Sequence, residues 1–185
     1  MTNSKGFAVT AAIVAAIGFS VLAMLVVLNR RDETVSLNQE IQYDDFAFSV
    51  QSVRNAAFVG TANSLVRPAG VFYIVTLKIA NHAVRVDYKY KRDSALLIDE
   101  RGNEYLPSAE GQPALEATLS PTAVCSAPIP AGQSCVTEVV FDVPTGVRIS
   151  QMRITFGALA DIFDPIFSGR KRIALTPMIQ PVNKE

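Results

Sequence analysis

Two cysteines, a single histidine and a few short carboxylate clusters are the residues with which this chain of 185 could do chemistry. Cys125 and Cys135 bracket the segment CSAPIPAGQSC, whose two prolines and one glycine force it to turn back on itself. Chain ends returning from such a turn can come within disulfide range. A bridge closing a loop of about ten residues stabilises a fold by about 2–3 kcal/mol in the loop-entropy picture. Disulfides persist in oxidising compartments, so this reading sets the domain outside the cytoplasm. The alternative is a pair of unbonded, buried thiols. Two cysteines and one distant histidine do not complete a zinc set, and no metal is expected.

His82 follows Asn81 at the end of an apolar alternation, where an ordinary turn residue is expected. One histidine without a matching nucleophile and acid makes no triad, and the chain has no Gly-x-Ser-x-Gly elbow. Asp99, Glu100 and Glu104 gather around Gly102 but lack the alternating oxygen ligands of a calcium loop, so a solvated turn is expected there. Asp44 and Asp45 adjoin a strand start and are expected to face water. No glycine loop of the phosphate-cradling kind occurs. The expectation is a protein without catalytic residues, cofactor or metal: not an enzyme.

Binding chemistry has three candidates. In Tyr88-Lys-Tyr-Lys-Arg92 an extended chain puts the tyrosines on one side and Lys89 and Lys91 on the other. Tyrosines beside cations can stack on single-stranded nucleic acid or lie against lipid headgroups, but a half-buried strand with a charged outer face is the simpler reading. Net charge is +0, which removes the general electrostatic case for nucleic acid, and none is expected as partner. Near the C-terminus, Ile162, Phe163, Ile166 and Phe167 surround a proline and precede the basic run Arg170, Lys171 and Arg172. Such a loop can dock on a partner or dip into headgroups, or its phenylalanines can plug the end of a sandwich. The third candidate is a stripe of small residues, Ala8, Ala12, Ala16 and Ser20, recurring at every fourth position. Within lipid, such a stripe lets helices approach closely, offering a docking face to a second copy or another membrane protein.

That stripe lies in the strongest signal of the chain. Residues 7–28 are uncharged and almost wholly apolar over about 22 residues, enough to cross a bilayer as a helix. A cleavable signal peptide is the rival reading, with Val21 and Ala23 posing as small cleavage-site residues, but Met24–Leu28 stays apolar beyond them and no polar region follows. An uncleaved signal anchor is expected. Arg30 and Arg31 after the span balance Lys5 and the terminal amine before it, so basic residues alone do not orient it. Residues 1–6 form a tail, and 29–39 a polar connector of about eleven residues spanning at most about 35–40 Å. Residues 40–177 are expected as one folded domain and 178–185 as a C-terminal tail. A domain of about 150 residues is large enough for a real hydrophobic core.

Within the domain, period-two alternation dominates. In Gly70–Asn81, GVFYIVTLKIAN, the residues Val71, Tyr73, Val75, Leu77 and Ile79 share one face. Phe72 and Ile74 make the other face apolar over its first half, so a central strand covered on both sides there is expected. Phe46, Phe48 and Val50 mark a first strand and Asn55–Gly70 a looser loop. Val84–Lys91 continues extended, Ala95–Ile98 is a short strand, and Glu104–Leu106 returns after a tight turn in which Gly102 or Asn103 takes positive φ. Ala114–Leu119 offers one helical turn. Thr137, Val139, Phe141 and Val143 share a face of Cys135–Val143; Met152, Ile154 and Phe156 mark another strand, and Arg172–Leu175 a last one. The sum is an all-β, antiparallel β-sandwich of about seven or eight strands, preceded by one N-terminal transmembrane helix.

Three motifs occur in order: GVFYIVTLKIAN, LLIDERGNEY and IPAGQSCVTEVVFDVP. Together they resemble the Ig-like, telokin-like β-sandwich domains of unknown function found in bacterial immunoprotective extracellular antigens and small membrane-anchored envelope proteins. Tyr73, Val75 and Asn81 carry the resemblance in the first motif, Asp99, Gly102 and Tyr105 in the second, and Pro130, Gly132, Phe141, Val143 and Pro144 in the third. It covers residues 40–156; the cysteine pair and the stretch 157–172 fall outside its pattern. The resemblance implies an Ig-like fold and an envelope location and brings no catalytic residues.

These readings converge on a single-pass membrane protein whose sandwich lies on the extracytoplasmic side as a non-enzymatic binding or scaffolding module. The expected role is an accessory subunit or adaptor of a membrane-associated assembly. The alternative is a free-standing, antigen-like envelope protein without a fixed complex.

Overall fold

The computed structural model describes residues 33–119, 125–155 and 171–175, together with Gly18 and Ser20. The chain divides into two compact units, Met1–Glu33 with Ala158–Arg170, and Thr34–Gly157 with Lys171–Glu185. Of the first unit, Gly18 and Ser20 are helical and exposed. The candidate span 7–28 otherwise lies outside the described residues, and among those residues no helix is long and apolar enough to cross a membrane.

The second unit is built on GVFYIVTLKIAN. Eleven strands are described: β1 (Glu33–Val35), β2 (Ile41–Tyr43), β3 (Phe46–Ala56), β4 (Val59–Thr61), β5 (Ser64–Val66), β6 (Val71–Asn81), β7 (Ala95–Asp99), β8 (Glu104–Tyr105), β9 (Ser134–Val143), β10 (Ile149–Ile154) and β11 (Lys171–Ala174). One sheet has the order β2-β3-β6-β9, the second β1-β11-β10-β7-β8, and β4 pairs with β5 in a small hairpin. A short helix, α1 (Gly111–Glu116), completes the described elements with a 3₁₀ turn at Arg92–Ser94.

Alternation explains the layering. Tyr73, Val75, Leu77 and Ile79 of β6 meet Val139, Phe141 and Val143 of β9 and, from the facing sheet, Leu97, Met152, Ile154 and Ile173 in one core. This is an all-β sandwich. The opposite face of β6 is covered over its first half, as its sequence demands: Phe72, Ile74 and Val140 form a second apolar cluster with Val59, Ala114 and Leu115. Each of the Phe, Ile, Val and Leu side chains there, fully buried, is worth roughly 1.5–3 kcal/mol. Lower along the strand, where Thr76 and Lys78 replace apolar residues, that face is only half-buried.

Eleven strands replace the seven or eight expected, and each addition has a local cause. β1 and β2 have three residues each, too few to display a period, and β1 falls inside the stretch expected as a connector. Asn55–Gly70 is not a loose loop: β3 runs on to Ala56, and β4 and β5 form a hairpin that lids the second cluster. The pairing of β3 with β6 slips between Val50 and Ser52. This bulge moves the inward positions from Phe48 and Val50 to Val53, so the alternation changes phase and the strand seems to end early. Val84–Lys91, by contrast, is not a strand; its described pairing is a single bridge from Tyr88 to Ile129.

One amide closes the end of this sandwich. Asn81, the last residue of β6, is 1% exposed. Its Nδ2 donates to the carbonyls of Val86 (2.7 Å) and Ile129 (2.9 Å), and its Oδ1 accepts from Ala83 N (3.0 Å). Its backbone N–H donates to Gln133 O, and its carbonyl accepts from Gly132 N, both at 2.9 Å. Gly132 sits at φ 74, a conformation that suits glycine. The loop after β6 and the loop before β9 are thereby tied to one side chain. Asn81→Ala should cost about 2–4 kcal/mol, because buried backbone groups lose their partners. Denaturant unfolding checks this: the midpoint should fall while the slope stays unchanged.

Candidate functional site

The cysteine pair is bonded. Cys125 and Cys135 lie 6.0 Å apart at Cα and form a disulfide across the turn that Pro130 and Gly132 create. Both sulfurs pack against the main core, so the bridge fixes the start of β9 to the segment before it. Reciprocal backbone bonds between Tyr88 and Ile129, 2.9 and 2.8 Å, extend that tie to the loop after β6.

Clefts on the described surface include two beside these elements. The first, about 390 Å³, is lined by Asp99, Glu100, Arg101 and the turn Thr145–Arg148. The carboxylate of Asp99 is already engaged. Its Oδ1 accepts from Arg101 N and Asn103 N, both 2.8 Å, and its Oδ2 from Asn103 Nδ2 (2.8 Å) and the Tyr105 hydroxyl (3.1 Å). Gly102 takes φ 86 in this turn, as its sequence suggests. The turn is solvated at Glu100 and Glu104, as expected, but Asp99 is 5% exposed: the turn's backbone N–H groups need an acceptor, and Asp99 supplies it. Desolvation pushes the pKa of this carboxyl up, but the hydrogen bonds from Asn103, Tyr105 and Arg101 outweigh it and hold the pKa below the usual value. The Tyr105 hydroxyl is pushed up, first by desolvation and then by its bond to Asp99. Among the described residues no group of three metal-binding side chains occurs.

The second cleft, about 250 Å³, runs beside β9 and is lined by Tyr90, Arg92, Gln112, Glu116, Cys125, Ser126, Thr137, Glu138 and Val139. Arg92 pairs with Glu116 across it. The Tyr90 hydroxyl is buried without a protein partner, and burial pushes its pKa up. Gln112, 2% exposed, closes one wall: its Oε1 accepts from Val140 N (2.8 Å) while its Nε2 donates to Glu138 O (2.9 Å). The side-chain amide thus substitutes for a neighbouring strand along the outer edge of β9. Chemically this is a polar crevice of hydrogen-bonding groups and one ion pair, with room for several waters.

The remaining sequence candidates are dispersed. Tyr88 is turned inward, stacked on Phe46 with centroids 4.2 Å apart and edge-on to Phe48 at 6.1 Å. Burial raises its hydroxyl to about 12. The tyrosines therefore serve the core, while Lys89 and Lys91 are exposed, which matches the simpler expectation in its inward tyrosines and charged outer side but not in its strand. His82 is exposed at its strand end, its Nε2 3.8 Å from Glu40 Oε2. Asp44 and Asp45 face water. Lys171 and Arg172, expected as part of a docking cluster, open β11 half-buried: Lys171 lies over the Tyr43 ring (4.9 Å), and Arg172 donates to Gln151 Oε1 (3.2 Å). Strand register claims these two side chains. Ile162, Phe163, Ile166, Phe167 and Arg170 lie outside the described residues, as do Ala8, Ala12 and Ala16; Ser20 is exposed. Sequence reasoning missed one feature with a visible signal. Val84 and Val86 interrupt a polar loop and stand 88% and 61% exposed.

Solved structures share this fold. Over 78% of this chain and 98% of the other, it superposes on the crystal structure of MPT63, a secreted protein from Mycobacterium tuberculosis, with a TM-score of 0.53 and 16% identity. A conserved hypothetical protein from Bacillus anthracis gives a TM-score of 0.52 at 16% identity, covering 65% of this chain and 88% of that one. An uncharacterized β-sandwich protein from Clostridium difficile 630 gives 0.50 at 10% identity, covering 80% and 97%. No curated protein sequence matches the chain significantly. A family model described as a domain of unknown function, DUF4352, matches residues 35–171.

The Asp99 turn has a consequence for acid stability. Its folded pKa lies below the unfolded carboxylate value of about 3.9, so its contribution is fully present above that pH and lost as pH falls through the folded pKa. Asp99→Asn should lower the melting temperature at pH 7 and flatten its decline between neutral and acid pH. An unaltered pH profile in the variant would contradict this role.

Proposed function

The chain belongs to the DUF4352 family of domains of unknown function, and from that premise we propose that it is a membrane-anchored, non-enzymatic binding or scaffolding module. Residues 7–28 act as an uncleaved signal anchor, and the Ig-like sandwich stands on the extracytoplasmic side of the membrane. The observation that carries the reading is the Cys125–Cys135 bridge. A bonded pair packed against the core suits an oxidising compartment, and the apolar stretch that ends a few residues before β1 supplies the tether.

The polar side chains of the sandwich support binding over catalysis. Asp99, Asn81 and Gln112, the buried polar residues with the richest bonding, are each committed to backbone groups of the fold. The chain acts as an accessory subunit or adaptor of a membrane assembly, with the small-residue stripe of Ala8, Ala12, Ala16 and Ser20 as a face for helix contact. A second reading, a free-standing envelope protein, is favoured by one observation: MPT63, whose fold it shares, is described as a secreted protein.

Purification of the full chain in a gentle detergent separates the two. An adaptor should bring down membrane proteins in fixed stoichiometry, and Ala8→Leu with Ala12→Leu should disperse them without changing the melting temperature of the sandwich. A lone monomer would favour the free-standing protein.

A further inference from the structure

Five hydrogen bonds tie Asn81 and the loop after it to the segment before β9, and each ends between the two cysteines. Tyr88 N donates to Ile129 O at 2.9 Å, and Ile129 N to Tyr88 O at 2.8 Å. Asn81 N donates to Gln133 O, Gly132 N to Asn81 O, and Asn81 Nδ2 to Ile129 O, all at 2.9 Å. Ile129, Gly132 and Gln133 lie inside the ring that the Cys125–Cys135 bond closes.

Asn81 passes this order on. Its Oδ1 accepts from Ala83 N, and its Nδ2 donates to Val86 O, so the amide fixes the backbone on both sides of Val84. The bond restricts the ring, the ring satisfies Asn81, and Asn81 sets the loop on which Val84 and Val86 stand exposed. The ladders of the sheet do not pass through this series. β6 pairs with β3 from Phe72 to Asn81 and with β9 from Val71 to Ala80, without residues 126–133. Freeing the ring therefore loosens one end of the sandwich and leaves its strands paired, a local opening and not a global one.

A path to the bond exists. Both cysteines are half-buried, and Cys125 lines the cleft beside β9 together with Ser126, Thr137 and Glu138. A thiolate entering there attacks Cys125 Sγ, the bond between the cysteines breaks, and Cys135 leaves as the thiolate. The second thiol of a dithiol then attacks its own sulfur in the mixed disulfide and expels Cys125. The bridge has taken up two electrons and two protons, and the dithiol has become a disulfide.

We propose that the Cys125–Cys135 bridge is a redox-sensitive clasp. Oxidised, it holds the partners of Asn81 in place and so orders the Val84–Val86 loop; reduced by a dithiol, it releases that end while the sandwich stays folded. The clasp shares the bridge with the reading above and needs nothing of the anchor.

Native hydrogen exchange on the full chain in detergent, with and without dithiothreitol, tests this. Dithiothreitol should open the bridge in the absence of denaturant. Protection of the amides of Asn81, Ala83, Tyr88, Ile129 and Gly132 should then fall by about 30-fold or more, the factor that closure of a ring of this size supplies. The amides of Val75 and Leu77, paired with β9 in the middle of β6, should keep theirs. Cys125→Ser combined with Cys135→Ser should show the reduced pattern with or without dithiothreitol. Unchanged protection at the five amides after reduction overturns the clasp, as does a bridge that reacts only in the unfolded chain. Loss of protection at Val75 and Leu77 along with the rest, or a double variant that does not fold, makes the bridge a staple of the whole fold and overturns it equally. Titration of free thiols in the untreated chain separates the two ideas. Two free thiols would remove the clasp and the compartment reading together, whereas a bonded pair with the wrong exchange pattern removes the clasp alone.

Discussion

A side-chain amide that must be buried at the end of a central strand constrains much of this molecule. Asn81 cannot leave its donor and acceptor unpaired once it is 1% exposed. The partners that satisfy it are backbone groups at Ala83, Val86 and Ile129, from two loops distant in sequence. Those loops then pair with each other through Tyr88 and Ile129, and the second is closed by the disulfide. One polar group so holds the β6 end, the start of β9 and the exposed tip between them. An apolar residue at this position would keep the strand and lose the ordering of everything beyond it.

The middle of the sandwich answers a different constraint. β6 is apolar on both faces over its first half, so a single facing sheet cannot cover it. The second cover is assembled from small pieces: the β4–β5 hairpin, α1 and Val140 of β9. Bringing α1 there also shields the edge of β9, because Gln112 bonds Val140 N and Glu138 O as a neighbouring strand would. Packing and edge protection are thus met by the same six-residue helix. The crevice beside it, with the unpartnered Tyr90 hydroxyl, is where that cover stops.

How far the sequence disclosed this depends on whether a residue's surroundings are local. β6 and β9 were legible because ten or more residues alternate without interruption, and their inward faces, Val75 to Ile79 and Thr137 to Val143, are buried as the period demands. The turn at Gly102 was legible from its own residues. β3 was legible only up to its bulge, where the phase of alternation changes at Gln51. β1, β2 and the β4–β5 hairpin were hidden by length, since three residues give no period. At the candidate sites, the cysteine pairing followed from the turn between them. The burial of Asp99 did not, because it answers to N–H groups of Arg101 and Asn103 that no composition shows. Lys171 looks like a free cation in the sequence, and only the structure shows that the strand expected from Arg172 onward begins with it.

A sandwich whose buried Asn81, Asp99 and Gln112 are committed to its own backbone thus follows an apolar stretch that ends a few residues before its first strand, and these two parts carry the account. Its central claim is that the sandwich lies outside the cytoplasm while the chain remains in the membrane. Reporter fusions after Glu185 in a bacterial host test this most directly. Alkaline phosphatase, which needs an oxidising compartment to fold, should be active and sediment with membranes. A fusion to a cytoplasm-only fluorescent protein should stay dark. Bright fluorescence with an inactive phosphatase would place the sandwich in the cytoplasm and contradict the account.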